Sequence, residues 1–275
     1  MHTHLSEPEH YAGEFRQGME ASWSTVGFSE GTPAVHQPAM DGVDRAVVLA
    51  FDAPKSGFVV PNEYVAAYVA TDPDRLIGFA SVDANRPDAV EILRWTADDL
   101  GMRGLKIGPI YQHVDPTGIA MDRLLGEAVR LGMPVLIHQG TTFVRDAPLE
   151  YARPWLLDRV ATRHPDMKMY IAHLGHPWCD ETMVVIRKHP GLFADVSALH
   201  TRPWQLYNAL RSAIEYGVAD KLLFGTDYPF GTAELLMAAM YEVSAMAEKV
   251  GLPPVPRDVI DGIIHRPSLE LVGLA

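Results

Sequence analysis

Cysteine and long apolar runs are almost absent from this chain. Cys179 is the single cysteine among 275 residues, which excludes an intrachain disulfide. Such a composition suits a reducing compartment, so we expect a cytoplasmic protein. No run of about 18 apolar residues occurs, and a membrane-spanning helix is therefore not predicted. The N-terminus also lacks the basic and apolar regions of a secretory signal peptide.

Positive charge is also scarce. Lysine and arginine number 23 against 35 aspartates and glutamates, and the formal net charge is −12 with histidines neutral. No lysine- or arginine-rich run offsets this balance, which argues against a general binder of nucleic acid or of anionic membranes. A local cationic pocket still permits an anionic ligand. The expected partner is therefore a small-molecule substrate, with neither nucleic acid nor membrane.

Short apolar runs alternate along the chain with longer amphipathic stretches. Near-continuous apolar runs are typical of strands buried on both faces, as in parallel sheets. Seven such runs predict strands at residues 45–51, 76–82, 104–107, 134–138, 169–173, 192–196 and 221–225. The stretches between them predict helices at residues 62–70, 88–100, 122–131, 149–163, 204–216 and 233–250. This alternation indicates parallel strands joined by crossover helices.

The length and the strand count together suggest an α/β barrel. A (β/α)8 TIM-like barrel typically has about 250 residues, close to the length of this chain. Eight strands are needed, so the first must lie within residues 1–5 and be very short or truncated. We predict one barrel domain over residues 1–275. Residues 6–41 show no clear period and are expected to form an inserted loop with a helical piece.

The chain opens with the letters MHTH. Residues two apart in a strand point to the same face, so His2 and His4 could both ligate one metal ion. In an α/β barrel the carboxyl ends of the strands meet on one face, where the active site lies. Imidazole and carboxylate groups there are suitable ligands for a divalent metal ion. The other polar residues predicted at or just after strand ends are Lys106, His138, His173, His176 and Asp227.

These motifs resemble those of the amidohydrolase superfamily. The resemblance runs from HTH at 2–4 through AHLGHP at 172–177 and GTDYPF at 225–230 to HRPSLELVGL at 265–274. It is strongest to the branch grouped with aminocarboxymuconate-semialdehyde decarboxylase, which includes lactone hydrolases and aromatic-acid decarboxylases. The resemblance implies one divalent metal ion, Zn²⁺ first and Mn²⁺ second. It implies a ligand set of His2, His4, His138 and Asp227, with His173 as the catalytic neighbour.

The resemblance implies two chemistries at this site. In the first, a metal-activated water attacks an ester, lactone or amide, His173 orients the water and Asp227 accepts its proton. In the alternative, the same site decarboxylates an aromatic or unsaturated acid without oxidation. Hydrolysis is our main prediction. Expected contacts to a carboxylated substrate come from Lys106, His176 and Arg145.

A third interpretation belongs to another class of protein. In this interpretation the barrel has no metal and binds a small molecule or a partner protein. The interpretation predicts a disordered N-terminus, because His2 and His4, two of the four metal ligands, would be loose. A homodimer is compatible with the resemblance, and residues 6–41 are the candidate contact arm.

Overall fold

The computed structural model describes residues 1–22 and 31–274. Its strands are short. They are β1 (Thr3–His4), β2 (Ala46–Leu49), β3 (Phe51–Ala53), β4 (Phe58–Val60), β5 (Leu76–Ser81), β6 (Gly104–Ile107), β7 (Val135–Ile137), β8 (Met169–Ile171), β9 (Leu192–Asp195) and β10 (Leu222–Leu223). Eight of them pair in parallel in the order β1-β2-β5-β6-β7-β8-β9-β10. The other two, β3 and β4, form an antiparallel hairpin.

The first strand closes the barrel. It pairs with β2 on one side, and on the other Thr3 forms a parallel bridge with Tyr228, just after the last strand. The amide of His4 donates to the Tyr228 carbonyl at 2.7 Å, and the amide of Asp227 donates to the His2 carbonyl at 2.9 Å. The predicted TIM-like barrel with a very short first strand is therefore confirmed. The disordered N-terminus that a metal-free barrel predicted is not what the structure shows.

Helices follow the barrel strands and cover the sheet. They are α1 (Gly13–Ser22), α2 (Pro33–Ala39), α3 (Asn62–Val69), α4 (Ala89–Asp98), α5 (Pro109–Gln112), α6 (Ile119–Arg130), α7 (Leu157–Arg163), α8 (Cys179–Lys188), α9 (Pro203–Glu215), α10 (Ala233–Lys249), α11 (Arg257–His265) and α12 (Ser268–Leu271). Helix α9 shows the usual pattern, since it buries Leu206, Ala209, Leu210 and Ala213 at helical spacing. Among the described residues, no helix combines the length and apolar character needed to cross a membrane.

Alternation along the strands separates two cores. Side chains on one face fill the barrel interior, and those on the other pack under the helices. The interior core is formed by Val47, Leu49, Ile77, Phe79, Leu136, Tyr170, Phe193 and Leu223, with Val272 and Leu274 from the C-terminal segment. Lys106 is in register with Leu136 of the neighbouring strand, so it faces this interior as well.

Two predicted elements differ from the structure. Within the predicted helix 149–163, the α-helix begins only at Leu157. Two short 3₁₀ turns, Leu149–Tyr151 and Pro154–Leu156, precede it. Pro154 has no amide to donate and disfavours a helical residue before it, so a continuous helix cannot run through this point. The predicted strand 45–51 ends at Leu49, and Phe51 belongs to the separate hairpin.

The segment 6–41 contains α1 and α2, and residues 23–30 lie outside the described part. Within it, His36 is completely buried behind the first strand. Its Nε2 lies 3.1 Å from Thr3 Oγ1, which donates to the Val47 carbonyl at 2.7 Å, so His36 is the donor. Its Nδ1 then accepts from the Tyr68 hydroxyl at 2.8 Å. This chain of hydrogen bonds connects β1 to the body of the barrel.

We expect His36→Ala to lower the free energy of unfolding by about 2 to 4 kcal/mol, because it leaves a cavity and two buried hydroxyl groups without their partner. Urea denaturation at neutral pH measures the change. The control is His265→Ala, since His265 is exposed at the end of α11 and should cost under about 1 kcal/mol. Equal losses in both variants would contradict the anchoring role of His36.

Candidate active site

A cavity of about 290 Å³ opens at the carboxyl ends of the barrel strands. This size is near the lower end of small-molecule pockets, which are roughly 300–1,000 Å³. Six of the predicted site residues line it: His4, Lys106, His138, His173, His176 and Asp227. Aromatic and apolar side chains form much of the remaining wall: Tyr11, Phe15, Met19, Phe51, Phe58, Tyr111 and Phe143. The structure thus brings most of the predicted residues to one face of the barrel.

Three ligand atoms converge at the floor of the cavity. His2 Nε2 lies 3.1 Å from His4 Nε2 and 3.2 Å from Asp227 Oδ1, and His4 Nε2 lies 3.3 Å from the same oxygen. Ligands about 2.0–2.2 Å from a tetrahedral metal ion are roughly 3.3 Å apart, so these three atoms fit one face of a coordination polyhedron. All three side chains are buried. We call His2, His4 and Asp227 the metal cluster.

The protonation pattern supports a cation at the metal cluster. His2 Nδ1 lies 2.9 Å from Asp195 Oδ2, so His2 carries its proton there and leaves a lone pair on Nε2. This lone pair and Asp227 Oδ1, 3.2 Å apart, are therefore both available as ligand atoms. Burial, reinforced by the charge of Lys106, lowers the pKa values of His2 and His4 well below their usual range. Both imidazoles are therefore neutral, which is the ligating form.

Lys106 is the cation next to this cluster. Its Nζ lies 3.4 Å from His2 Nε2, and it sits 5.8 Å from the centre of the Phe51 ring. Burial lowers the pKa of Lys106 and raises the pKa of Asp227, while their mutual attraction opposes both shifts. A bound divalent cation would favour the ionised carboxylate of Asp227.

His173 stands beside the metal cluster. Its ring stacks on that of His2 with centroids 4.9 Å apart, and its Nε2 lies 3.8 Å from Asp227 Oδ2. The backbone of His173, Leu174 and Asp227 is left-handed, with φ of 53°, 53° and 58°. This conformation is unfavourable for residues other than glycine and persists where surrounding contacts impose it, commonly at functional sites.

The remaining predicted residues differ in their placement. The His138 ring lies 5.3 Å from that of His173, but its Nε2 is directed to the Thr141 carbonyl at 3.2 Å. It lies outside the metal cluster, so its ligand role stays a prediction. His176 lines the cavity, and burial lowers its pKa to about 4. The structure does not bring Arg145 to the cavity, because that side chain is exposed and does not line the wall.

Three features of this site are not among those predicted from the sequence. Asp195 and Ser197, fully buried at the end of the seventh barrel strand, support His2 and His173. The letters ADVS at 194–197, which span the end of that strand, carried the signal, since a carboxylate is unusual in a core run and strand ends carry the functional residues of a barrel. Arg202 lines the cavity as a second cation. The aromatic wall contributed by α1 had no periodic signal.

An α/β barrel with paired histidines on its first strand and an aspartate after its last, all directed to one point, belongs to the class of barrels that could hold a metal ion at the carboxyl ends of their strands. A family model described as amidohydrolase matches residues 1–266. The chain belongs to this family, as the motifs predicted.

Two curated relatives carry more specific names. The chain is 24% identical over 210 residues to 2-amino-3-carboxymuconate-6-semialdehyde decarboxylase of Dictyostelium discoideum, covering 66% of the chain and 58% of the relative. It is 24% identical over 214 residues to gamma-resorcylate decarboxylase of Rhizobium sp. (strain MTP-10005), covering 62% and 64%. The chain therefore spans less than two thirds of the length of these relatives.

Solved structures share the fold. An uncharacterised TIM-barrel protein of Bordetella bronchiseptica superposes with a TM-score of 0.73 at 20% identity, covering 99% of this chain and 98% of that one. A dihydroxybenzoic acid decarboxylase of Polaromonas sp. JS666, with bound manganese and 2-nitroresorcinol, gives 0.64 at 16% identity, covering 100% and 98%. A probable 2-pyrone-4,6-dicarboxylic acid hydrolase of Acinetobacter baumannii gives 0.64 at 17% identity, covering 99% and 97%.

We expect the protein purified without chelator or histidine tag to bind about one divalent metal ion per chain. His4→Ala should lose most of this metal, because it removes one of three converging ligand atoms. Elemental analysis of Zn and Mn measures the content. His164→Ala is the control. His164 follows the end of α7, its Nε2 lies 3.0 Å from Asp122 Oδ1, and it does not line the cavity. Full metal content in His4→Ala would contradict the metal cluster.

Proposed function

We propose that this protein is a metal-dependent decarboxylase of small aromatic carboxylic acids. One observation carries this proposal: the metal cluster lies at the floor of a cavity whose wall is aromatic. Hydrolysis was our main prediction from the sequence, and the named relatives favour its alternative, since both are decarboxylases. The whole chain, 1–275, is proposed to act as one barrel domain.

The aromatic wall suits a planar apolar ring. Phe58 stacks on Tyr11 at 4.8 Å, on Phe15 at 5.0 Å and on Phe51 at 4.9 Å between ring centres. Phe15 also meets Phe143 edge to face at 5.0 Å. Aromatic rings in contact prefer such offset and edge-on arrangements, so a substrate ring can extend this cluster. Helix α1 supplies Phe15, so the inserted segment 6–41 forms part of the binding site.

Cationic groups are placed to receive an anionic substrate. Lys106 lies against the metal cluster, and the partly exposed Arg202 lines the cavity. We propose that Lys106 contacts the reacting carboxylate and that Arg202 contacts a second polar group of the substrate. His176 lines the same wall and is proposed as a further substrate contact. Arg145 is replaced in this role by Arg202.

The proposed metal ion would be held by His2, His4, Asp227 and, in the proposal, His138. It is Mn²⁺ or Zn²⁺, and manganese is the ion named with the Polaromonas decarboxylase. Bound there, it would supply Lewis-acid chemistry, lowering the charge density on the carboxylate and on an adjacent oxygen of the substrate.

One proton is then transferred by a residue of this chain. His173 Nε2 accepts the proton of the ring hydroxyl beside the carboxylate and returns it to the ring carbon that bears the carboxylate. The bond from that carbon to the carboxylate breaks, its electron pair stays with the ring, and CO₂ leaves. The hydroxybenzoate anion thus becomes a phenolate without an external proton. The surrounding aromatic wall limits the access of water.

Hydrolysis of a lactone or ester is the second candidate. The metal cluster suits it equally well, because His173 or Asp227 can accept a proton from an attacking water. The structural likeness to a probable pyrone-dicarboxylic acid hydrolase shows the fold alone.

The two functions are separated by supplying Mn²⁺- or Zn²⁺-loaded protein with a panel of ortho-hydroxybenzoates and, in parallel, with aromatic lactones and esters. We expect CO₂ release from one or more of the acids, because Lys106 and Arg202 suit their negative charge and the aromatic wall suits their ring. Mass spectrometry of evolved CO₂ and chromatography of the phenol product measure it. Lactone or ester cleavage with no CO₂ from any acid would overturn the proposal in favour of hydrolysis.

For the active substrate, we expect His173→Ala to lower kcat by roughly 10²- to 10⁴-fold, the usual contribution of a general acid or base. The metal content should stay unchanged, because His173 lies outside the metal cluster. Steady-state kinetics with elemental analysis of the same samples gives both values. Wild-type kcat in this variant would refute the proton-transfer role.

A further inference from the structure

One carboxylate, that of Asp195, accepts hydrogen bonds from both sides of the site. Its Oδ1 receives the amides of His173 and Ser197, each at 3.0 Å. The same oxygen makes a short contact with Ser197 Oγ, and Oδ2 lies 2.9 Å from His2 Nδ1. Asp195 and Ser197 are both completely buried. A buried carboxylate with four donors is thus shared by a ligand of the metal cluster and by the catalytic histidine.

These contacts determine the direction of each hydrogen bond. Asp195 Oδ1 faces two amide N–H groups, so it is an acceptor and carries no proton. The Ser197 hydroxyl must therefore donate to Oδ1, and its oxygen can only accept from its other neighbours. These are His173 Nδ1, at 2.7 Å, and His2 Nδ1, which is 3.3 Å away and closer to Asp195 Oδ2. His173 Nδ1 is accordingly the donor, and it bears a proton when the ring is neutral.

We propose that Asp195 and Ser197 are a positioning pair that holds the proton of both His2 and His173 on Nδ1. The carboxylate acts directly on His2 and through the Ser197 hydroxyl on His173. Each Nε2 atom then carries a lone pair. Nε2 of His2 faces His4 Nε2 and Asp227 Oδ1, and Nε2 of His173 lies 3.8 Å from Asp227 Oδ2. Hydrogen bonds at the second nitrogen are the general means by which proteins select an imidazole tautomer.

The pair also acts on the backbone. The amide of His173 donates to Asp195 at the residue whose φ is 53°. This bond helps to hold the left-handed turn that ends the sixth barrel strand, and so it orients the same ring whose tautomer Ser197 selects. One side chain therefore sets the position of the His173 ring and, with Ser197, the location of its proton.

The part of this inference that concerns catalysis rests on the proposed function, since it makes His173 Nε2 ready to accept a proton. The tautomers themselves do not depend on any substrate. Their measurement can therefore succeed even if decarboxylation fails, and the two failures are distinguishable.

The direct test is the ¹⁵N chemical shift of the histidine side chains in zinc-loaded protein, measured by long-range ¹H–¹⁵N correlation. His173→Gln assigns the His173 signals. We expect Nδ1 of His173 to show the shift of a protonated nitrogen and Nε2 that of an unprotonated nitrogen. A proton found on Nε2 of His173 overturns the proposal.

Ser197→Ala tests the relay, because it removes the acceptor of His173 Nδ1 and leaves Asp195 bound to His2. We expect a mixture of His173 tautomers and a kcat lower by roughly 10- to 100-fold, as for other outer-shell partners. KM should change by less than about 2-fold and the metal content should not change, since neither the cavity wall nor the metal cluster is altered. An unchanged His173 spectrum in Ser197→Ala would reject the relay.

Two further variants separate this role from a structural one. Ser197→Thr keeps the hydroxyl and should restore the wild-type tautomer and most of the kcat. Ser81→Ala removes another buried serine, whose hydroxyl accepts from the Asp52 amide at 3.0 Å away from the cavity wall. It should leave the His173 signals and kcat unchanged. If Ser81→Ala lowers kcat as much as Ser197→Ala does, general destabilisation explains the loss and the proposal fails.

Discussion

The attachment of a two-residue strand is the constraint on which the rest of this site depends. His2 and His4 lie within or beside β1, which has too few residues to be stable alone. It is held by β2, by the backbone of the segment after β10 and, from behind, by the buried chain that joins Thr3 to His36 and Tyr68. Each of these contacts comes from a different part of the chain. The metal cluster therefore forms only when the barrel closes.

Closure also determines the electrostatics of the site. It buries histidines, carboxylates and one lysine together, where desolvation disfavours every charged form. The imidazoles of His2 and His4 remain neutral, and the Nε2 atom of each lies 3.2 or 3.3 Å from Asp227 Oδ1, a spacing suited to ligands of one cation. Asp195 accepts the protons on the opposite side of His2. A metal ion fits this arrangement because Asp195 holds the proton of His2 on the far side of the ring, which leaves Nε2 available as a ligand.

The cavity wall, and not the metal cluster, is the part of the site suited to selecting a substrate. The metal cluster suits hydrolysis and decarboxylation alike, so ligand identity does not select between them. Selection falls to the residues above it: a group of aromatic rings centred on Phe58, and Arg202 as a second cation. Two of these rings, Tyr11 and Phe15, come from the segment inserted after the first strand. Under the proposed function, substrate selection falls to the β3–β4 hairpin, to α1 and to the loops, while the barrel positions the metal cluster.

The sequence by itself predicted the barrel, the direction of its strands and, through the family resemblance, a ligand set that includes His2, His4 and Asp227. Apolar period and strand-end position follow from local pattern, and in a parallel barrel strand ends must meet on one face. Local pattern marks Asp195 only as a carboxylate at a strand end, and it could not show which residues Asp195 contacts, since His2 and His173 are 193 and 22 residues away. Nor could it place Arg145, which is exposed, or Arg202, which lines the cavity. These assignments depend on which side chains tertiary packing brings within a few ångströms, and no spacing along the chain records that.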